Sequence, residues 1–272
     1  MVGEPARATV RVAVAQLAVP ADHGAARDAT RAAIVAAAVG GADLVVLPEY
    51  ASGFDPRGVG REHAEPLDGP FVTLVREVAA DVRVAVLVGT TAPGVAADRA
   101  SNVVVAVGPD GALRGAYRKV HLYDAYGRRE SDRLEAGPAD AEPLVLDVGG
   151  VRFGVLTCYD LRFPEIARRV VDAGAEVLVV PAAWAAGPGK ADHWRALAVA
   201  RAIENTSVVV AVGQAGPGVV GRSVVVGADG VVVLELDEDP TVATVDLDPE
   251  QVRQVRDRDP SLVNRRYRVV PR

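Results

Sequence analysis

Residues 41–48 read GADLVVLP and residues 174–181 read GAEVLVVP, so the order of glycine, alanine, an acid, four apolar residues and proline occurs twice. Glycine commonly ends a helix, and proline is excluded from the interior of a sheet. Each octapeptide therefore predicts the end of a helix followed by a short buried strand. Two copies of this unit indicate that the chain consists of two halves built on one plan.

The sequence around each octapeptide repeats the same succession of elements. A strand and a helix are predicted before it, and a second helix, a further strand and a hairpin with an Asp-Gly turn are predicted after it. The order β-α-β-α-β-β-β therefore occurs twice. The flanking helices and strands are predicted at 10–16, 27–40, 70–80 and 84–89 in the first half and at 151–157, 164–173, 192–204 and 207–213 in the second.

Several of the predicted strands are apolar along their whole length, which is typical of strands covered on both faces. Because the two main helices of each half cover only one face of a sheet, the two sheets must pack against each other with the helices outside. The sequence thus predicts a four-layer α-β-β-α sandwich of two pseudo-equivalent halves in one domain, 1–272, with a charged surface arm at about 249–272. Two independent α/β domains are the alternative, but residues 140–150 lack the composition of a flexible linker.

The composition excludes several classes of protein. Half of the 272 residues are hydrophobic and 24% are charged, so the chain can bury a core, and the net charge of −6 argues against nucleic acid as the main partner. No run approaches the roughly 18 apolar residues of a membrane helix, and residues 1–14 lack the pattern of a secretory signal. One cysteine permits no intrachain disulfide. We expect a cytoplasmic protein with neither a membrane nor a nucleic-acid partner.

The single cysteine, Cys158, lies at the carboxyl end of the predicted strand 151–157, ahead of a helix predicted from Pro164. Ligands of α/β sheets bind at that edge, and a helix N-terminus favours a thiolate. A lone cysteine is often a small buried hydrophobe, but the polar neighbours Tyr159 and Asp160 do not suit an inert core position. The sequence therefore makes Cys158 a candidate nucleophile.

A cysteine nucleophile needs a base. Glu49 follows the strand of the first octapeptide at the same kind of strand end as Cys158, whereas the equivalent residue of the second half is Ala182. An acid present in one copy and absent from the other indicates function, although a solvated loop glutamate is the alternative. His121 or His193 remains a possible base, but neither has an evident position at a strand end.

Only two of the 30 basic residues are lysines, Lys119 and Lys190. Lys119 follows Arg118 directly, so a positive charge did not by itself require a lysine there. A compact ammonium can stabilise an oxyanion at close range where a guanidinium is bulky, so Lys119 is a candidate for that role. Lys190 lies in a loop rich in glycine and proline and is interpreted as a surface residue.

Most of the tyrosines lie close to these candidates in the sequence. In a chain with 4% aromatic residues, this clustering indicates a pocket with aromatic walls. The tyrosines within seven residues of a candidate are Tyr50, Tyr117, Tyr123, Tyr126 and Tyr159. We predict substrate contacts for Tyr50, Tyr126, Tyr159 and Trp184.

Three short motifs resemble, in order and spacing, those of the nitrilase superfamily of carbon–nitrogen hydrolases: LPE with Glu49, RKVH with Lys119 and LTCYDLRFPE with Cys158. Further matches are PAAW at 181–184, HWRALAVARAIEN at 193–205, GQ at 213–214 and NRRY at 264–267. The resemblance covers nearly the whole chain. It implies the α-β-β-α sandwich, a Glu49-Lys119-Cys158 triad and a second glutamate, Glu130 in RRES.

The branch that the chain resembles most contains ω-amidase and deaminated-glutathione amidase, although Trp184 and Arg222 stand where that branch often has phenylalanine and histidine. The resemblance implies hydrolysis of a small amide through a thioester, with release of ammonia and without a metal or organic cofactor. It also implies a homodimer or larger assembly. A nitrilase or an N-carbamoyl amide hydrolase with the same triad is the alternative enzyme, and a non-catalytic α/β binding module is the alternative class.

Arginine is abundant near the predicted site. Arg128, Arg129 and Arg162 could each bind a substrate carboxylate through two parallel hydrogen bonds. A structural ion pair is the alternative for each, and it is the preferred interpretation of Arg162 because Glu165 lies nearby in the sequence. We expect a primary amide of a small carboxylated acid to be a better substrate than a nitrile.

Overall fold

The structure is a computed structural model that describes residues 9–272. Residues 1–8, which belong to the segment used to exclude a secretory signal, lie outside the described residues. Among the described residues, no helix combines the length and the apolar character that crossing a membrane requires.

Thirteen β-strands and five α-helices form within residues 9–272. The helices are α1 (His23–Val39), α2 (Pro70–Val82), α3 (Pro164–Asp172), α4 (Lys190–Asn205) and α5 (Pro249–Arg258). The strands are β1 (Val10–Gln16), β2 (Leu44–Val46), β3 (Ala85–Pro93), β4 (Ala100–Val107), β5 (Leu113–Arg118), β6 (Leu134–Glu135), β7 (Val145–Val148), β8 (Val151–Val155), β9 (Val177–Ala182), β10 (Val208–Gly213), β11 (Val224–Val226), β12 (Val232–Glu235) and β13 (Thr241–Leu247).

The strands form two sheets with equivalent cores. The first has the order β13-β1-β2-β3-β4-β5, with β6 paired to β4, and the second has the order β12-β11-β10-β9-β8-β7. Strands β1, β2 and β3 are parallel, as are β8, β9 and β10, because a helix links each strand to the next. The order β-α-β-α-β-β-β is thus present in both halves, as the repeated octapeptides predict.

Alternating side chains build the two faces of the first sheet. Ala13 and Ala15 pack in a cluster with α1 and α2, whereas Val12 and Val14 pack in a larger cluster with the strands of the second sheet. In β1, small side chains therefore face the helices, and β-branched ones face the second sheet. The helices lie outside two facing sheets, and the predicted four-layer sandwich is confirmed. This packing brings the carboxyl ends of strands from both sheets together.

Strands β6, β7 and β13 are missing from the sequence prediction, and β13 has an unexpected partner. It follows the second half in the chain but pairs antiparallel with β1 of the first sheet, from Val10 opposite Leu247 to Gln16 opposite Thr241. Its side chains are mostly exposed or half-buried, so it lacks the apolar run that marks the central strands. The partner of such an edge strand depends on distant sequence.

The predicted surface arm at 249–272 is partly docked. Helix α5 begins after Asp248, whose side chain caps it by accepting the N–H of Glu250. Val252 is buried against the main core, and the guanidinium of Arg256 donates to the carbonyls of Thr206 and Ala175. Most of the following residues, 259–272, are exposed. The helix is missing from the sequence prediction because its few apolar positions are hidden among charges.

Candidate active site

Cys158 lies on a sharp turn at the carboxyl edge of the second sheet. Strand β8 ends at Val155, and Cys158 begins a short 3-10 helix, Cys158–Arg162, that leads into α3. The backbone of Cys158 has a φ of 46°, a left-handed conformation that costs a non-glycine residue about 1–3 kcal/mol. The residue is buried but lines a pocket. The turn therefore presents the thiol to the pocket at the predicted strand end.

Asp160 holds this turn in place. One carboxylate oxygen accepts the Tyr117 hydroxyl at 2.7 Å and the Thr157 N–H at 3.0 Å. The other accepts the His121 N–H at 3.1 Å and lies 2.7 Å from Nδ1 of the same residue. Because Tyr117 and His121 flank Lys119 in the chain, Asp160 connects the cysteine turn to the lysine segment. Sequence reasoning noted only that Asp160 is polar.

Glu49 is buried among donors from three segments of the chain. Its Oε1 accepts Asn102 Nδ2 at 2.6 Å and Lys119 Nζ at 2.9 Å, and its Oε2 accepts the Ala183 N–H at 2.7 Å. Asn102 is absent from the sequence-based candidates. Its position within β4, directly before the apolar run 103–107, is visible in the sequence, but the strand alone does not reveal what the amide faces.

The backbone of Glu49 is wedged between the two sheets. Gln214, at the end of β10, donates its side-chain amide to the Glu49 carbonyl at 2.6 Å. On the other side, a Cβ at Gly89 of β3 would lie 2.5 Å from the Glu49 Cα, so only glycine permits this approach. The second half of the chain thus helps to fix an acid that the first half supplies.

Lys119 follows β5, and its ammonium bridges two carboxylates. Its Nζ lies 2.9 Å from Glu49 Oε1 and 2.9 and 3.0 Å from the oxygens of Glu130, and the residue is 1% exposed. Glu130 in turn accepts the Tyr50 hydroxyl at 2.6 Å and the Tyr123 N–H at 2.7 Å. Cys158 lines the same pocket as Glu49 and Glu130, and its thiol interacts with Glu49. The four residues predicted as catalytic therefore meet in one cluster.

The protonation states follow from burial and neighbouring charge. Burial lowers the pKa of Lys119, but Glu130 and Glu49 together outweigh it and raise this pKa well above its usual value, so the lysine stays an ammonium. Burial and the Glu49 charge raise the pKa of Cys158 well above its usual range, although Lys119 opposes them. A helix N-terminus favours a thiolate, but here burial and the Glu49 charge outweigh that effect, so the resting thiol keeps its proton.

A pocket of about 440 Å³ opens above this cluster. Its size falls within the range of about 300–1,000 Å³ typical of small-molecule sites. The aromatic residues that line it are Tyr50, Phe54, Tyr123, Tyr159 and Trp184. Tyr126 lies outside this lining and is 67% exposed at the rim, whereas Tyr123, for which no substrate contact is predicted, lies in the wall.

The model of the carbon-nitrogen hydrolase family matches residues 11–257. The chain belongs to this family. The deaminated glutathione amidase of Escherichia coli O157:H7 is 39% identical over 226 residues, which cover 82% of this chain and 85% of that protein.

Solved structures of carbon–nitrogen hydrolases have the same fold. The superfamily protein XC1258 of Xanthomonas campestris, solved with an arsenic adduct in its active site, has a TM-score of 0.84 at 29% identity and covers 97% of this chain and 99% of its own. An amidase variant from Nesterenkonia sp. AN1 has a TM-score of 0.77 at 28% identity and covers 96% of this chain and 97% of its own. That structure shows covalent addition of the acetamide moiety of fluoroacetamide at its active-site cysteine.

The histidines of this carbon–nitrogen hydrolase have other partners. His121 pairs with Asp160 and stacks on Phe163, with 3.8 Å between the ring centroids. His193 lies 3.3 Å from a guanidinium nitrogen of Arg162. Neither lines the pocket, so the alternative of a Cys-His pair finds no support. Within residues 9–272, no group of three or more histidine, cysteine or acidic side chains is arranged to hold a metal ion.

The basic residues near the pocket differ from expectation in two places. No salt bridge joins Arg162 to Glu165 in the described part of the chain, and the Arg162 guanidinium instead lies 5.1 Å from the Trp184 ring centre. Lys190 is not a surface residue: it is 6% exposed and lines the pocket. The loop rich in glycine and proline that precedes Lys190 packs against the pocket wall. Trp184 donates its indole N–H to the Lys190 carbonyl at 3.0 Å and so holds the end of this loop in place.

Proposed function

We propose that the protein hydrolyses the carbon–nitrogen bond of a small-molecule amide through a thioester on Cys158 and releases ammonia. The observation that carries the proposal is the cluster of Glu49, Lys119, Glu130 and Cys158, in which the lysine bridges both carboxylates at 2.9–3.0 Å. The thiol faces a pocket of a size that suits a small ligand. Membership of the carbon–nitrogen hydrolase family supports the same reaction class.

In the first step, Glu49 accepts the thiol proton while the sulfur attacks the amide carbon. Because burial and the Glu49 charge raise the pKa of Cys158, the resting thiol keeps its proton and transfers it to Glu49 only as the carbon–sulfur bond forms. The amide oxygen becomes an oxyanion. Lys119 Nζ and the N–H of Tyr159, the second residue of the 3-10 helix, stabilise it.

In the second step, protonated Glu49 gives its proton to the amide nitrogen. The carbon–nitrogen bond breaks, ammonia leaves, and the acyl group remains on sulfur as a thioester. Glu49, a carboxylate again, then takes a proton from water as the water attacks the thioester carbon. Collapse of that intermediate returns the proton to the sulfur and releases the acid.

Glu130 acts through Lys119 as a positioning residue. Its carboxylate holds Lys119 Nζ with both oxygens and is itself held by Tyr50 and the backbone of Tyr123. This arrangement fixes the ammonium and keeps its pKa raised against the effect of burial. The cluster thus enters the reaction with the charge on Lys119 already in place.

Ammonia release from a panel of amides, nitriles and N-carbamoyl amino acids tests the proposal. We expect a 2-oxo acid ω-amide to be hydrolysed with a higher kcat/KM than its nitrile analogue, and Cys158→Ala to be inactive while retaining the wild-type circular dichroism spectrum. A tenfold advantage of the nitrile or carbamoyl compound, about 1.4 kcal/mol in transition-state binding, would overturn the amidase assignment.

The setting of the enzyme is part of the proposal. We place it in the cytoplasm, as one domain spanning 1–272, because its cysteine is unpaired and the main hydrophobic cluster includes strands of both halves. A homodimer is supported by the arm that follows α5, where Val263, Tyr267 and Val270 are 84%, 93% and 69% exposed. Light scattering of the full chain and of a chain ending at residue 258 tests this. We expect the full chain to be a dimer and the shortened chain to dimerise more weakly. A monomeric full chain would refute the homodimer.

A further inference from the structure

Lys190 is a buried cation in the pocket wall that the proposed mechanism does not use. It is the first residue of α4, and its Nζ donates to the Tyr123 hydroxyl at 2.9 Å. The same Nζ lies 3.4 Å from the ring centre of Tyr126 and 5.1 Å from that of Tyr123. The exposed ring of Tyr126 therefore covers one side of the ammonium, and Lys190 lines the pocket.

The other cations that line the pocket have acceptors within the described part of the chain. Arg128, at the rim, donates to the carbonyl of Pro56 at 3.0 Å. The salt bridges are Arg57–Asp55 at 2.6 Å, Arg129–Asp132 at 3.6 Å and Arg133–Glu62 at 2.9 Å. No carboxylate of residues 9–272 forms a salt bridge with Lys190, so its charge is met by a hydroxyl and aromatic faces.

A second cation lies beside Lys190. The Arg162 guanidinium is 5.9 Å from the ring centre of Tyr126, and no salt bridge to Arg162 occurs among the described residues. Burial lowers the pKa of Lys190, Tyr126 opposes this effect, and Arg162 adds to it. Burying a charge without a counter-ion is costly, and two neighbouring cations add to the cost. An anion bound to Lys190 in the pocket would offset that cost.

We infer that Lys190 binds a carboxylate of the substrate, so that the pocket selects amides whose acyl chain ends in a negative charge. This deepens the proposed function and rests on it. A carboxylate fits better than a dianion such as a phosphate ester, because Glu49 and Glu130 also line the pocket. Lys190, and not Arg128 or Arg129, is then the residue that distinguishes anionic from neutral amides.

The test compares glutaramate, the monoamide of glutaric acid, with pentanamide, which has a methyl group in place of the carboxylate. Lys190→Met removes the charge and keeps the length of the side chain. We expect the ratio of kcat/KM for glutaramate to that for pentanamide to fall by about 10- to 100-fold, the range for losing one charge-assisted hydrogen bond, mainly through KM. Lys190→Arg should restore part of the ratio.

Two further variants distinguish the effect of Lys190 from the effect of other positive charges. Arg114→Met, on the exposed hairpin where Arg114 pairs with Asp110, is the control for a loss of one positive charge and should leave the ratio unchanged. Arg128→Met tests the competing site at the rim. The inference is wrong if Arg128→Met lowers the ratio and Lys190→Met does not.

Binding measured without turnover keeps the test decisive even when hydrolysis is slow. Calorimetry of glutaramate with Cys158→Ala should give a Kd that rises at least tenfold when Lys190→Met is added, with the melting temperature of each variant as the check on folding. An equal Kd, or no binding of glutaramate at millimolar concentration, would contradict the inference. If wild type hydrolyses pentanamide and glutaramate equally well, the carboxylate subsite fails while the proposed amidase stands.

Discussion

Replacing Glu130 by glutamine removes one of the two negative charges that hold Lys119. The substitution keeps the shape of the side chain and an oxygen for the Tyr50 hydroxyl. It exchanges a pair of charge-assisted contacts at 2.9 and 3.0 Å for a neutral one. Such a contact contributes about 1.5–3 kcal/mol, so we expect kcat to fall by about 10- to 150-fold.

The pH dependence of the variant provides a second readout. Glu130 raises the pKa of Lys119 against the lowering effect of burial, so its removal must lower that pKa. Lys119 acts as the protonated ammonium, and its activity is lost as the pH rises through its pKa. The alkaline limb of the kcat profile should therefore move to lower pH in Glu130→Gln than in wild type.

Asp132→Asn is the matched control for this prediction. Asp132 lies in the same 3-10 helix, Glu130–Asp132, but its side chain is 63% exposed and pairs only loosely with Arg129 at 3.6 Å. The Asp132→Asn variant loses the same charge as Glu130→Gln at a short distance from the site. We expect its kcat to stay within about twofold of wild type, because such surface ion pairs contribute little. Wild-type kcat and an unmoved alkaline limb in Glu130→Gln would refute the role given to Glu130.

Three further predictions address the support of the site. Gly89→Ala should abolish soluble folded protein or lower the melting temperature strongly, because its Cβ would lie 2.5 Å from the Glu49 Cα, and a normal thermal melt would contradict this. Asp160→Asn should lower kcat at least tenfold with a smaller change in KM, because it weakens the anchor of the cysteine turn, and an unchanged kcat would count against that anchor. Asn102→Leu should lower kcat by about tenfold at unchanged oligomeric state, because Glu49 loses a donor at 2.6 Å, and full activity would argue against it.

The fold was largely predictable because its signals are local and repeated. Each octapeptide contains a helix end and a buried strand within eight residues, and the two copies imply two similar sheets. The proline ends the strand only in the first copy, because β9 continues through Pro181 to Ala182. Strand β13 was not predictable in this way, because its half-exposed sequence pairs with β1 more than 200 residues earlier in the chain. Helix α5 was missed for a related reason, since Val252 is its one deeply buried hydrophobic side chain.

The residues of the candidate site likewise fall into those with a local signal in the sequence and those without one. Glu49 could be found because the second half has Ala182 at the equivalent strand end, and Cys158 because it is the only cysteine. Asn102 and Lys190 were missed, because their relation to the pocket depends on packing between segments far apart in sequence. Spacing also could not decide between Tyr123 and Tyr126, which are three residues apart but lie in the wall and at the rim.

Mass spectrometry of the intact protein during turnover tests the central claim most directly. With a slowly hydrolysed amide, quenched at short times, we predict a mass increase equal to the acyl group, located on the peptide that contains Cys158 and accompanied by one ammonia released for each adduct. Cys158→Ala should show neither the adduct nor turnover. Turnover by wild type with no adduct on Cys158 under any quench time, or ammonia release by Cys158→Ala at the wild-type rate, would contradict a thioester mechanism.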